Sequence, residues 1–217
     1  MKTVNIPFVG YLDIEILKST VPNPTFRKLI HWIDYINWKR RGKPVPPPHL
    51  YKQQVVRNYA DKYGLKILVE TGTFYGDMIE AMKHCFDGIY SIELSKALYE
   101  KAATRFSAEK NIEIIHGDSG LELGNLINRV NQPILFWLDG HYSGGVTARG
   151  VKDTPIYDEL EQIFNNQASK YVVLIDDARC FGARADYPSI QLLSDFIKTK
   201  MHDAKIEIEC DIIRITL

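Results

Sequence analysis

Acidic residues close successive apolar runs along the chain: Glu70 after Ile67-Leu68-Val69, Glu93 after Ile89-Tyr90-Ser91-Ile92, Asp139 after Phe136-Trp137-Leu138, and Asp176-Asp177 after Val172-Val173-Leu174-Ile175. Glu70 opens a turn that continues Thr71-Gly72-Thr73-Phe74-Tyr75-Gly76. Gly72 permits positive φ and a close backbone approach, both of which a Cβ would obstruct. Amides of a helix opening after Gly76 suit a ligand carboxylate. Glu93 lies about 20 residues past the glycine turn, the spacing at which a carboxylate grips ribose hydroxyls in nucleotide folds. The dinucleotide fingerprint itself fails. Phe74 stands where G-x-G-x-x-G needs its second glycine, so a pyrophosphate would lose its close backbone contact. A nucleoside ligand without pyrophosphate fits better.

The later acids suggest different chemistry. Asp139, Asp176 and Asp177, brought together, would repel strongly unless protonated or paired with a cation. All-oxygen ligation suits Mg²⁺ or another divalent cation such as Ca²⁺ or Mn²⁺ far better than zinc. Such an ion, chelating two neighbouring substrate oxygens, lowers the pKa of a hydroxyl and prepares it as a nucleophile. His141 follows in Asp139-Gly140-His141-Tyr142-Ser143-Gly144-Gly145. An imidazole with an ordinary pKa of about 6.5 suits proton removal near neutral pH; the same histidine could equally hold its loop by a backbone hydrogen bond. Arg179 and Arg184 follow the acidic pair, either to bind an anionic substrate group or to balance the carboxylates. Tyr142, Phe181 and Tyr187 either line a pocket or pack.

These residues need elements to position them. From residue 65 strands alternate with helices: expected strands are 66–70, 88–93, 112–116, 133–138 and 171–175, with two short strands at 205–209 and 212–217 and no helix between them. Ser95 is placed to cap the helix that follows the second strand. Thr154-Pro155 reads as a helix start, a capping hydroxyl followed by proline. Apolar strands alternating with helices argue for an α/β fold, a parallel sheet covered on both faces. Ligands on such sheets bind at the carboxyl ends of strands, near the switch point, so the strand-end acids converge on one crevice.

Residues 1 to about 60 are different, punctuated by Pro22, Pro24, Pro44 and Pro46-Pro47-Pro48. Phe26, Leu29, Ile30, Ile33, Ile36 and Asn37 recur at helical spacing, with Trp32, Tyr35 and Trp38 beside them. This reads as a helical extension, a lid or a homodimer contact, joined by a stiff proline connector to a second helix over 49–63. His49-Leu50-Tyr51-Lys52 either folds over the cofactor site or docks the extension. The glycine-rich stretch 142–152 reads as a lid.

Lys+Arg and Asp+Glu both number 27, so formal net charge is zero and nothing calls for nucleic acid or a membrane surface. Cys85, Cys180 and Cys210 show no metal spacing and read as reduced thiols in a cytoplasmic protein.

Glu-x-Gly-x-x-x-Gly over 70–76, followed by the strand-end Glu93, resembles class I S-adenosylmethionine-dependent methyltransferases. The resemblance spans 65–217. It implies a Rossmann-like, doubly wound, mostly parallel seven-stranded sheet with an antiparallel terminal strand, and a cofactor-binding domain over 61–217. It also implies S-adenosylmethionine held by Glu70, Thr71, Gly72, Thr73, Gly76, Glu93, Asp118, Ser119 and Asp139. Glu93 would take the ribose hydroxyls and Asp118 the adenine amine, although Asp118-Ser119 reads equally as a helix cap. Asp139 with Asp176-Asp177 is similar to the metal set of catechol-type and macrolide-sugar O-methyltransferases. On that resemblance the substrate is a small hydroxylated molecule, a sugar or sugar-containing natural product or polysaccharide, with His141 and Asp139 catalytic. A metal-independent methyltransferase, a non-catalytic module and another reaction on the same scaffold, such as an oxygenase or hydrolase, remain open alternatives.

Overall fold

The computed structural model describes residues 24–130, 132–140, 154–166, 170–184 and 186–217, with side chains from residue 29 onward. His141, Tyr142 and the glycine-rich stretch 142–152 lie outside the described residues, as do residues 1–23.

The elements, in chain order, are α1 (Pro24–Arg40), α2 (His49–Tyr63), β1 (Ile67–Thr71), α3 (Asp77–Met82), β2 (Gly88–Glu93), α4 (Lys96–Arg105), β3 (Ile112–His116), α5 (Ser119–Arg129), β4 (Ile134–Leu138), α6 (Ile156–Asn165), β5 (Tyr171–Ile175), α7 (Ile190–Lys200), β6 (Lys205–Glu209) and β7 (Ile212–Thr216). A short 3-10 turn, Ala178–Cys180, follows β5. They build one seven-stranded sheet in the order β3-β2-β1-β4-β5-β7-β6. The first five strands are mutually parallel, and β7 runs antiparallel to both β5 and β6. The strand order reverses between β1 and β4, which opens a crevice at their carboxyl ends.

Burial explains why the central strands are unbroken apolar runs. Every residue of β1 and β4 is buried, because helices cover both faces. Alternate side chains serve opposite layers. Phe136 and Leu138 pack with Leu123, Leu160, Ile163 and Ile197 on one face. Leu135 and Trp137 pack with Val56, Ile79, Met82 and Phe106 on the other. Truncating one such side chain to alanine would cost roughly 2–5 kcal/mol.

One local expectation needs correction. The β1 strand runs one residue further than the expected 66–70, so Glu70 lies inside the strand and Thr71 ends it. On α1, expected to pack on the main domain or on a second subunit, Leu29 and Ile33 of the apolar stripe are exposed, Ile30 and Ile36 are half-buried and the neighbouring Trp38 is buried. The aromatic end makes the attachment. Trp38 lies with its ring centroid 4.9 Å from that of Tyr51 and donates its indole N–H to the Pro44 carbonyl at 2.7 Å. Bulky aromatics remove more area from water per residue than the aliphatic stripe does. The proline run then enters α2 in extended form, Pro48 having φ −68° and ψ 153°. The buried Val55, Val56 and Ala60 carry α2 into the core.

Candidate functional site

The strand ends sit side by side because the parallel ladder continues one residue past each strand. Gly72 N–H donates to the Ile92 carbonyl, Asp139 N–H to Thr71 and Asp176 N–H to Leu138, all at 2.9–3.0 Å. One half of the resulting site lies over β1 and β2. Gly72 has φ +84°, and a Cβ there would fall 2.4 Å from the Asp139 carbonyl oxygen. Glycine is thus required by the neighbouring strand end as well as by the turn. Phe74 also takes a left-handed conformation, φ +49°. Its amide donates to Glu93 Oε2 at 2.9 Å, and the Ser95 amide donates to Oε1 at 2.8 Å. Ser95 stands at the N-cap of α4 but makes no side-chain cap bond. A carboxylate offers about four acceptor positions, so Glu93 retains capacity for two further donors after these amides.

Beneath that turn Thr73, Ser91 and Glu70 form a buried relay. Ser91 Oγ donates to Glu70 Oε2 at 2.6 Å and lies 2.7 Å from Thr73 Oγ1. With its proton committed to Glu70, Ser91 accepts from Thr73. Burial pushes the Glu70 carboxyl up to about 8; the Ser91 bond opposes this, and the Asp139, Glu93 and Asp77 carboxylates add to it. Near neutral pH Glu70 is therefore mostly protonated. Thr71 Oγ1 is buried with no hydrogen-bond partner among the described residues. At the end of β3, Asp118 caps α5 by accepting from the Gly120 amide at 2.9 Å. Ser119 Oγ donates to Glu159 Oε1 at 2.6 Å.

The other half lies over β4 and β5. Asp176 Oδ1 accepts from the Asp177 amide at 2.8 Å, and its Oδ2 accepts from Lys52 Nζ. Lys52 Nζ is also 3.7 Å from Asp177 Oδ1. Burial opposes a charge on Lys52, but the Asp176, Asp139 and Asp177 carboxylates outweigh it and hold the ammonium well above the ordinary lysine range. Arg179 donates to Asp177 Oδ1 at 2.7 Å and also pairs with Asp211, whose other oxygen accepts the Arg179 amide. The Asp176 and Asp177 carboxylates, expected to hold a divalent cation, are thus each matched with a cationic side chain. Among the described residues, no three His, Cys, Asp or Glu side chains are grouped to hold a metal ion.

Two residues to which sequence reasoning gave no role of their own belong here. Lys52 is one. Its signal was present, because it shares the α2 face that Val55, Val56 and Ala60 bury, an unusual place for an ammonium. Glu159 is the other, buried on α6 with an oxygen 3.2 Å from where a Cβ on Gly140 would stand. A small cavity beside these groups is lined by Leu138, Gly140, Thr154, Glu159, Asp176 and Tyr187, among others. Tyr187 and Phe181 both pack edge to face, 5.3 Å between centroids, and line this cavity. The cysteines are free thiols. No described helix is long and apolar enough to cross a membrane.

Neither a protein-family model nor a curated protein matches the sequence. Solved structures do match. The O-methyltransferase TomG of Streptomyces achromogenes, involved in tomaymycin synthesis and solved with S-adenosylmethionine, is 14% identical over 94% of both chains with a TM-score of 0.57. An O-methyltransferase of Bacillus cereus, solved with S-adenosylhomocysteine, is 12% identical over 95% of this chain and 97% of its own, TM-score 0.55. A Podospora anserina methyltransferase, also bound to S-adenosylhomocysteine, is 14% identical over 100% and 99%, TM-score 0.55. Strand order, the antiparallel closing hairpin and these likenesses agree: the chain has the Rossmann-like fold of class I S-adenosylmethionine-dependent methyltransferases.

Proposed function

We propose that the protein is an S-adenosylmethionine-dependent O-methyltransferase acting on a hydroxyl of a small molecule, a sugar or sugar-containing natural product. The observation that carries the reading is the Gly72–Gly76 turn tied by the Phe74 amide to Glu93, a buried carboxylate with acceptor capacity left over, at the switch point of this sheet. The residues present suit the cofactor. Glu93 would accept its ribose hydroxyls, while Glu70, Thr71, Gly72, Thr73 and Gly76 would shape the cradle for its methionine end. Asp118 and Ser119 would meet the adenine. The Thr71 hydroxyl, buried beside Gly140 with no hydrogen-bond partner among the described residues, supports a polar ligand near the end of β1.

Bound S-adenosylmethionine supplies an electrophilic methyl group on a positively charged sulfur. The protein's task is to hold a hydroxyl oxygen in line with that methyl and to take its proton. Asp139, at the end of β4 and shared by both halves of the site, is the proposed acceptor together with His141. Asp176 and Asp177 are proposed to be balanced by Lys52 and Arg179 and not by a divalent ion, since each carboxylate already pairs with a cationic side chain. The reaction is therefore proposed without one. The N-terminal stretch 1–60 is proposed as an extension that completes this site through α2.

Calorimetric titration with S-adenosylhomocysteine tests the reading, with Glu93→Ala as control. Binding that the control weakens about 10–100-fold is expected, the loss of hydrogen bonds to a charged acceptor. No binding by folded wild-type protein would sink the proposal.

A further inference from the structure

The acceptor half contains a cation contributed by a helix on the opposite side of the chain's sequence. Lys52 lies in the first turn of α2, 124 residues before Asp176. Its side chain is 14% exposed and that of Asp176 is 0% exposed. It donates to Asp176 and lies 3.7 Å from Asp177, on the carboxylate edge away from the Asp177 amide. Arg179 approaches Asp177 as well and ties it to Asp211 on the β6–β7 hairpin. The position of Lys52 is built, not incidental. Pro47 and Pro48 are buried just ahead of it, and Tyr51 beside it is fixed against Trp38.

We infer that Lys52 is the resident cation of this site, standing where carboxylates from adjacent parallel strands would otherwise gather a divalent metal ion. The inference deepens the methyltransferase reading, on which its bearing on turnover rests. In this role Lys52 is a positioning residue. It pairs with Asp176, lies beside Asp177 and holds both in place around the acceptor hydroxyl, and it excludes the metal. A divalent ion presents open coordination positions to two substrate oxygens, whereas an ammonium offers only directed hydrogen bonds. The acceptor this site takes is accordingly oriented through single hydroxyl contacts, with no need for a chelating pair of oxygens.

Uptake of Mn²⁺, followed by the loss of its free-ion paramagnetic resonance signal, tests this without any substrate. Wild-type protein and Lys52→Arg, which keeps the cation, are expected to leave the signal unchanged. Lys52→Gln and Lys52→Ala are expected to reduce it, and adding Asp176→Asn to Lys52→Gln should restore it. The inference is overturned if wild type takes up Mn²⁺ and Asp176→Asn alone abolishes the uptake, because Lys52 then yields its place to metal. It is also overturned if Lys52→Gln, folded by circular dichroism and binding S-adenosylhomocysteine as wild type does, takes up none. The wild-type arm holds even if Lys52→Ala fails to fold. Failure of wild type to bind S-adenosylhomocysteine would remove the methyltransferase reading while leaving the Mn²⁺ result standing.

Discussion

The two halves of the crevice are built by different means. Over β1 and β2 the work is done by backbone: Gly72 and Phe74 in left-handed conformations, and two amides held by one carboxylate. Over β4 and β5 it is done by long side chains: Lys52 from α2 and Arg179 from the turn after β5, gripping Asp176 and Asp177. The first half is a shape imposed by a short stretch of sequence. The second is a charge balance assembled from distant ones. A cradle made of backbone tolerates side-chain change at most positions and fails at its glycines; an ion cluster fails when any one charge is removed.

Variants can separate these two modes. Lys52→Ala should have the largest effect, since it leaves buried carboxylates without their ammonium, a loss of about 3–5 kcal/mol in urea unfolding. A loss under about 1 kcal/mol, the range of exposed pairs, would mean that the cluster is solvated and the contrast is false. Glu70→Gln comes next and shows itself through pH. The folded Glu70 carboxyl holds its proton more tightly than the unfolded one, so wild-type stability should fall as pH rises from the ordinary value of 4.5 to about 8. The variant should flatten that fall by on the order of 1–3 kcal/mol between pH 5 and pH 8; identical slopes would place Glu70 in a wetter setting than its burial implies. Asp118→Ala should cost about 1 kcal/mol as a lost helix cap and also weaken S-adenosylhomocysteine binding. Unchanged affinity would leave Asp118 as a cap alone. Arg129→Ala, which breaks an exposed pair with Glu113 belonging to neither half, should change stability by less than about 1 kcal/mol.

The same contrast explains what the sequence discloses. β2, β3 and β5 were legible to the residue, because apolar runs bounded by turn signals are local properties. The convergence of Glu93, Asp139 and Asp176 on one crevice followed from a rule about parallel sheets, which needs only the order of elements. The attachment of α1 through Trp38 was not legible, because periodicity does not say that Trp38 and Tyr51 would meet. The segment 49–52 was a candidate cover of the site, but the partner of Lys52 was hidden for a related reason. Nothing in residues 49–63 says which carboxylate lies across from it, and an ammonium on an apolar helix face was the sole local hint. Glu159 likewise gains meaning only when α6 packs beside α5 and Ser119 donates to it.

The pairing of Lys52 with Asp176 also bears on how the chain reaches this state. A contact between residues 124 positions apart closes one of the long loops in the fold, and long-range closure is entropically slow. Until α2 docks, the β4 and β5 ends carry neighbouring acids without the ammonium that balances them, so the acceptor half is expected to be the last part of the site to order. In a folding transition state Lys52 would accordingly show a low φ-value, and core residues such as Leu135 and Val173 higher ones. Removing the ammonium would then mostly hasten unfolding while leaving the refolding rate nearly unchanged, a division that stopped-flow measurements on Lys52→Gln can read.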